Sequence, residues 1–157
     1  MALVTVDQLL VKRASLTTDR NMGGAAALAL KGFWMGRNQQ GLTGQLYLLK
    51  FGDLTVDAVV SDAAAKVHFI YCKKQATATD SFYKIFDDTT HDATAADAVF
   101  GMLLSGASDE QWYASVKGLD CAAGVVHGAY TAFLGYNNTT PTTSGDGPDG
   151  FIILGDA

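Results

Sequence analysis

From residue 45 onward the chain consists of short apolar or alternating runs separated by Gly, Asp, Thr and Asn. This pattern is typical of strands joined by turns, because a helix would need apolar residues every three or four positions over a longer stretch. It predicts nine strands, at residues 45–51, 54–60, 66–72, 81–86, 98–104, 112–116, 122–127, 129–134 and 151–154. We therefore expect a mainly β fold, a jelly roll or a β-sandwich or barrel, because the alternation of helices and strands that builds a parallel sheet is missing.

Two local features of this region can be predicted in more detail. The dipeptide Gly52-Asp53 lies between the first two strands and predicts a tight type II′ turn that joins them as a hairpin. In the third strand, strict alternation places Val67, Phe69 and Tyr71 on one face and Lys66, His68 and Ile70 on the other.

The first 44 residues have a different character. Thr5, Asp7 and Gln8 stand where a helix cap, an acidic first turn and a capping-box partner are expected, which predicts a short helix over residues 6–14. We interpret residues 1–44 as an N-terminal helix and attachment arm, and residues 45–157 as the β-rich part of one compact domain.

Farther along this N-terminal part, glycines surround the apolar triplet Phe33, Trp34 and Met35. Burial of the triplet in the domain's own core is the favoured interpretation, and an extended arm that docks its aromatic residues on a partner is the alternative. Under the second interpretation Leu9, Leu10 and the triplet are the candidate partner-interface residues.

Composition excludes several classes of function. Charged residues make up only 17% of the chain, against about 25% in an ordinary domain, and the net charge is −5 with 11 Lys and Arg in total. Binding to nucleic acid needs clustered Lys and Arg, so we expect no nucleic-acid partner. The sequence begins without the pattern of a secretory signal and contains no apolar run of about 18 residues, so we expect neither export nor a membrane partner.

The residues that could carry chemistry do not form a recognisable site. His68 lies in an apolar strand, His127 at a strand end and His91 in a polar loop, and none has the spacing of a zinc or calcium site. We predict no metal, no cofactor and no enzymatic activity, although a small hydrolase that uses His91 or His127 with an Asp is a lesser alternative. Cys72 and Cys121 are expected to be buried thiols.

The segment Gly145 to Gly150 resembles a cation loop at first sight. Its Gly, Asp and Pro residues are also those that tight turns use most, and the turn is the favoured interpretation.

Exposed aromatic residues offer a different function. Trp112, Tyr113, Tyr130 and Tyr136 could line a sugar-binding face by stacking on pyranose rings. A carbohydrate- or receptor-binding module of a viral tail or surface is therefore the alternative function, although these residues also suit a core or a protein interface.

The layout of the chain resembles that of the capsid decoration (cement) proteins of tailed bacteriophages. The resemblance rests on the arm-like residues 1–44, the strand-rich residues 45–154 and polar loops such as 137–150. It implies a structural virion protein, often a homotrimer, that binds the outer surface of the major capsid protein lattice and clamps neighbouring subunits. It also implies a protein made in the host cytoplasm that has no catalytic residues.

Overall fold

The computed structural model describes residues 4–5, 24–42, 44–55, 57–74, 80–90, 98–106, 108–131 and 146–156. These residues contain one helix, α1 (Gly24–Gln39), and nine strands. The strands are β1 (Val4–Thr5), β2 (Leu46–Phe51), β3 (Ala58–Ser61), β4 (Ala65–Lys73), β5 (Ser81–Phe86), β6 (Ala98–Leu104), β7 (Glu110–Cys121), β8 (Val125–Tyr130) and β9 (Asp149–Asp156). The predicted helix over residues 6–14 lies outside the described residues.

The strands form two antiparallel sheets, one in the order β1-β2-β9-β4-β7 and the other in the order β3-β8-β5-β6. The sheets are not closed into a barrel, and the architecture is that of a sandwich. The mainly β fold class is therefore confirmed. The nine predicted strands correspond to the eight strands β2 to β9, because the predicted strands 122–127 and 129–134 both overlap the single strand β8 (Val125–Tyr130).

The main core lies between the two sheets. The five-stranded sheet contributes Leu49, Val67, Ile70, Ile152 and Leu154, and the facing sheet contributes Tyr83, Ile85, Met102, Leu104 and Val125, all of them buried. This apolar layer is the principal source of stability, because burial removes about 25 cal/mol of unfavourable hydration for each Å² of apolar surface.

Helix α1 covers the opposite face of the five-stranded sheet. Ala26, Leu30 and Phe33 pack on strand residues that include Phe69, with the ring centroids of Phe33 and Phe69 6.0 Å apart. The helix can approach the sheet closely because its Gly36 lies against β7, where an added Cβ would come within 3.1 Å of Val116. Residues 24–39 of the predicted N-terminal part therefore pack directly on the β-rich part of the chain.

A β-bulge at His68 overturns the predicted alternation in β4. The register of β4 shifts between Val67 and Phe69 against both of its neighbours. As a result Val67, Ile70 and Cys72 face the sandwich core, whereas Phe69 and Tyr71 face α1. One extra residue reverses the faces for the remainder of a strand.

The predicted hairpin at Gly52-Asp53 is also wrong, because β2 and β3 belong to different sheets. Asp53 has a positive φ of 44°, and its carboxylate accepts a hydrogen bond from the backbone N–H of Gly147 at 3.0 Å. The Asp53 N–H donates to the carboxylate of Asp149 at 2.9 Å. The segment is therefore a corner between the sheets that is tied to the chain before β9.

Two glycine substitutions distinguish close packing from open space. A Cβ at Gly150 would overlap the backbone carbonyl oxygen of Tyr71, whereas a Cβ at Gly32 on α1 meets nothing within 4 Å. We expect Gly150→Ala to lower the free energy of unfolding by at least about 3 kcal/mol, through forced separation of two central strands. Gly32→Ala should raise it by about 0.5–1 kcal/mol, through higher helix propensity. Urea denaturation measures both, and similar values for the two variants would contradict the packing described here.

Candidate functional site

The residues predicted to form a partner interface have different environments. Leu9 and Leu10 lie outside the described residues. Phe33 is only 3% exposed and anchors α1 to the sheet, so it offers almost no surface to a partner. Trp34 is half-buried against the same cluster, and Met35 is 55% exposed. Of the described members of this set, Met35 is the most accessible.

Met35 belongs to an apolar face of α1 that points away from the sheet. Leu28, 71% exposed, lies two helical turns before Met35, which is 55% exposed, and between them Lys31 and Gly32 are also exposed. Positions three, four and seven residues apart lie on one side of a helix. We call Leu28, Lys31, Gly32 and Met35 the helix surface. It carries a single charged residue, so it differs from the polar outer face of an ordinary surface helix.

The three described aromatic residues of the proposed sugar-binding face do not form one platform. Trp112 is 37% exposed on β7, at the edge of the five-stranded sheet. Tyr113 packs on Phe100 with ring centroids 4.8 Å apart, and Tyr130 is buried in the other sheet, where it donates a hydrogen bond to Asp57. Tyr136 lies outside the described residues. Trp112 is therefore the one member of the described three with a substantial exposed ring.

His127 and Tyr83 form a buried polar pair between the sheets. The hydroxyl of Tyr83 lies 3.0 Å from Nδ1 of His127, and Phe51 packs edge-on against the imidazole with centroids 5.0 Å apart. Burial lowers the pKa of His127 to about 3, so the ring is neutral and shares one hydrogen bond with the tyrosine hydroxyl. This pair is enclosed by core residues and serves packing.

The two cysteines and the aspartates of the loop after β5 also have structural roles. Cys72 and Cys121 are free and buried, as expected, and burial raises the pKa of Cys121 to about 11. The carboxylate of Asp87 accepts a hydrogen bond from the N–H of Ala123 at 2.7 Å, and Asp88 accepts from the next two backbone N–H groups in an Asx turn. His91 lies outside the described residues. Within the described ranges, no three His, Cys, Asp or Glu residues are grouped as metal ligands.

Residues 146–148 form a turn that leads into β9 and docks on a neighbouring loop. The N–H of Leu54 donates to the carbonyl of Pro148 at 3.1 Å, and the buried Asp149 accepts from Asp53. These contacts agree with the turn interpretation of Gly145 to Gly150, of which Gly145 itself lies outside the described residues.

A cleft of about 600 Å³ opens where the C-terminal end of α1 meets β4, β7 and β9. Its walls include Arg37, Leu42, Lys66, His68, Val116 and Lys117, with Asp120 and Asp156 also in the lining. We call it the Arg37 cleft. Sequence reasoning missed it because its basic residues are spread over 80 positions from Arg37 to Lys117, and because the bulge that sets the position of His68 has no signal in the local pattern.

His68 is held tightly in this cleft. Its Nδ1 lies 3.1 Å from the carbonyl oxygen of Ser115 and donates to it, so Nε2 is the acceptor of the neutral ring. An added Cβ at Gly155 would lie 2.6 Å from Nε2, and one at Gly118, where φ is +84°, would lie 3.0 Å from Cε1. Desolvation lowers the pKa of His68, and the charges of Arg37 and Lys66 lower it further.

Comparison with known proteins gives no relative: no protein-family model, no curated protein and no solved structure matches this chain. In the described part of the chain, α1 is too short and too polar to cross a membrane.

The buried neutral His127 predicts a loss of stability in acid. Above pH 6.5 the imidazole is neutral in both folded and unfolded chains, but below it the unfolded chain binds a proton that the folded one does not, down to about pH 3. We expect the free energy of unfolding to fall by about 2 kcal/mol between pH 7 and pH 5 from this group alone. Urea titrations at each pH measure it.

The matched variant is His127→Gln, whose stability should fall less steeply over this range by about that amount. Because the lowered pKa of His68 acts in the same direction, the difference between the variant and the wild type is the quantity that isolates His127. Parallel pH profiles would show that His127 is protonated in the folded protein.

Proposed function

We propose that this chain is a structural virion protein that binds the outside of a phage capsid lattice and stabilises it by clamping neighbouring capsid subunits. The observation that carries the proposal is the helix surface, with Leu28 71% and Met35 55% exposed on one side of α1. Aligned apolar side chains of this size are typical of surfaces that bind another protein, whereas single scattered ones are not. The partner under this proposal is the major capsid protein.

The way in which α1 is held supports a role as a rigid binding surface. Its inner face is fixed by Leu30 and Phe33 on a sheet that is itself covered on its other side. A surface on such a support loses little conformational freedom when a partner binds, and more of the contact energy then appears as affinity. The low charge content of the chain favours the same function, because apolar contact areas are depleted in charged residues.

The mechanism is mass action. A protein that binds the assembled lattice more tightly than its free subunits shifts the equilibrium toward the closed shell. No chemical step is required. We expect the functional form to be a homotrimer on the capsid outer surface, as the resemblance to decoration proteins implies.

Point variants test this function better than removal of residues 1–44, because that deletion would remove α1 and uncover the sheet. We expect the double variant Leu28→Ser/Met35→Ser to weaken association with the shell by at least about tenfold, through loss of apolar contact area. Its free energy of unfolding should change by less than about 1 kcal/mol, because both side chains are largely exposed. Co-sedimentation with purified shells measures the first quantity and urea denaturation the second.

The matched control is Val59→Ser/Val99→Ser, which removes two exposed apolar side chains, 39% and 45% exposed, from the four-stranded sheet. It should bind as the wild type does. Equal binding by both double variants would contradict a role for the helix surface. If neither variant changes binding but Trp112→Ala abolishes binding to a glycan array, the chain is a carbohydrate-binding module, and native mass spectrometry should then find no stoichiometric shell protein.

A further inference from the structure

The guanidinium of Arg37 has no charged partner within the described residues, although the residue is only 6% exposed. Its Nη2 donates one hydrogen bond, to the carbonyl oxygen of Gly44 at 2.9 Å, which ties down the chain that leaves α1. A guanidinium carries five N–H donors, so this structural contact uses one of them. Desolvation lowers the pKa of Arg37, as expected for a cation without a counter-charge. A partly desolvated charge of this kind is stabilised when an anion meets it.

The surroundings of Arg37 are more basic than the chain as a whole. The Arg37 cleft holds three permanent cations, Arg37, Lys66 and Lys117, against two carboxylates, those of Asp120 and Asp156. The one ion pair among them joins Lys66 to Asp120 at 3.7 Å. The cleft is therefore locally positive in a chain of net charge −5. The small excess of one charge suits a monoanion, since the carboxylates would repel a dianion.

The cleft also has the dimensions and the apolar wall of a small-molecule site. Its volume of about 600 Å³ falls within the usual range of ligand pockets. Leu42, 40% exposed, and Val116 supply apolar contact beside the charged groups. His68 offers Nε2, an acceptor when neutral and a donor when protonated, on a ring fixed between Gly118 and Gly155.

From this geometry we propose that the Arg37 cleft binds a small organic monoanion, with its carboxylate against the Arg37 guanidinium and its apolar part against Leu42 and Val116. A planar carboxylate matches the planar fork of guanidinium donors and can accept two parallel hydrogen bonds. The cleft lies at the C-terminal end of α1, beyond Met35, and the proposal is independent of the role of the helix surface.

Benzoate is the probe, because it combines one carboxylate with a compact apolar ring, and benzamide is its neutral counterpart of the same shape. We expect benzoate to produce saturable shifts in the ¹H–¹⁵N resonances of Gly44, Val116 and Gly118, whereas benzamide at equal concentration produces none. Saturation by inorganic phosphate in place of benzoate would overturn the assignment to a carboxylate. Equal responses to benzoate and benzamide would overturn the requirement for charge.

Arg37→Gln should weaken benzoate binding by at least about tenfold, since it removes a charge-assisted pair of hydrogen bonds. The matched control is Lys73→Gln, which makes the same change of charge at the end of β4, at a partly exposed position outside the cleft. It should bind benzoate as the wild type does. If Arg37→Gln fails to fold because the contact to Gly44 is lost, Lys117→Gln is the variant that tests the proposal. It should weaken benzoate binding by about two- to fivefold. Unchanged affinity in the folded cleft variants would refute the proposal.

The pKa of His68 gives a second measurement, because it should change on benzoate binding only if the ligand lies beside Arg37 in the cleft. A bound carboxylate offsets the cationic field of Arg37 and Lys66 at the imidazole, whereas Lys117, Asp120 and Asp156 line the cleft with or without ligand. Saturating benzoate should therefore raise the pKa of His68, followed through its Cε1 proton resonance, and by linkage benzoate should bind more tightly when His68 is protonated. A His68 titration curve unaffected by saturating benzoate would place the ligand elsewhere.

Discussion

The structure depends on the need to cover both faces of one sheet. In β9, Ile152 and Leu154 face the sandwich core, whereas Phe151 and Ile153 face α1. A strand that is apolar on both sides has no face to present to water, so the five-stranded sheet is stable only between two further layers. The four-stranded sheet supplies one layer and α1 the other. This requirement explains why residues 24–39 form a packed helix and not a free arm.

How far the sequence predicts this fold depends on the range of the interactions involved. The positions of β2 and β4 to β7 follow from local runs of apolar and β-branched residues, and these were recovered within a few residues or as part of a longer strand. The assignment of strands to sheets was not recovered. The turn composition of Gly52-Asp53 predicts a hairpin of β2 and β3, but hydrogen bonds between Asp53 and residues more than 90 positions away make the segment a corner between sheets. Contacts over such separations leave no local pattern.

The helix surface and the Arg37 cleft also depend on long-range packing that local sequence patterns do not show. The apolar triplet at Phe33 was noticed in the sequence, but which of its members faces outward depends on the rotation of α1 on the sheet, and this rotation buries Phe33 and exposes Met35. The Arg37 cleft could not be foreseen at all. It needs the bulge at His68, a glycine with positive φ at 118 and the end of α1 in one place. Each of these is a consequence of tertiary packing and has no motif of its own.

The position of β9 in the sheet also constrains how the protein is made. β9 lies between β2 and β4, its partner residues lie about 100 and 80 positions earlier in the chain, and it is synthesised after both of them. On the ribosome, β2 and β4 therefore remain without their shared partner strand, and with apolar surface uncovered, until residues 149–156 have emerged. Until then the two strands are exposed to wrong pairing with other chains, so chaperone binding during synthesis would protect this half-built sheet in particular.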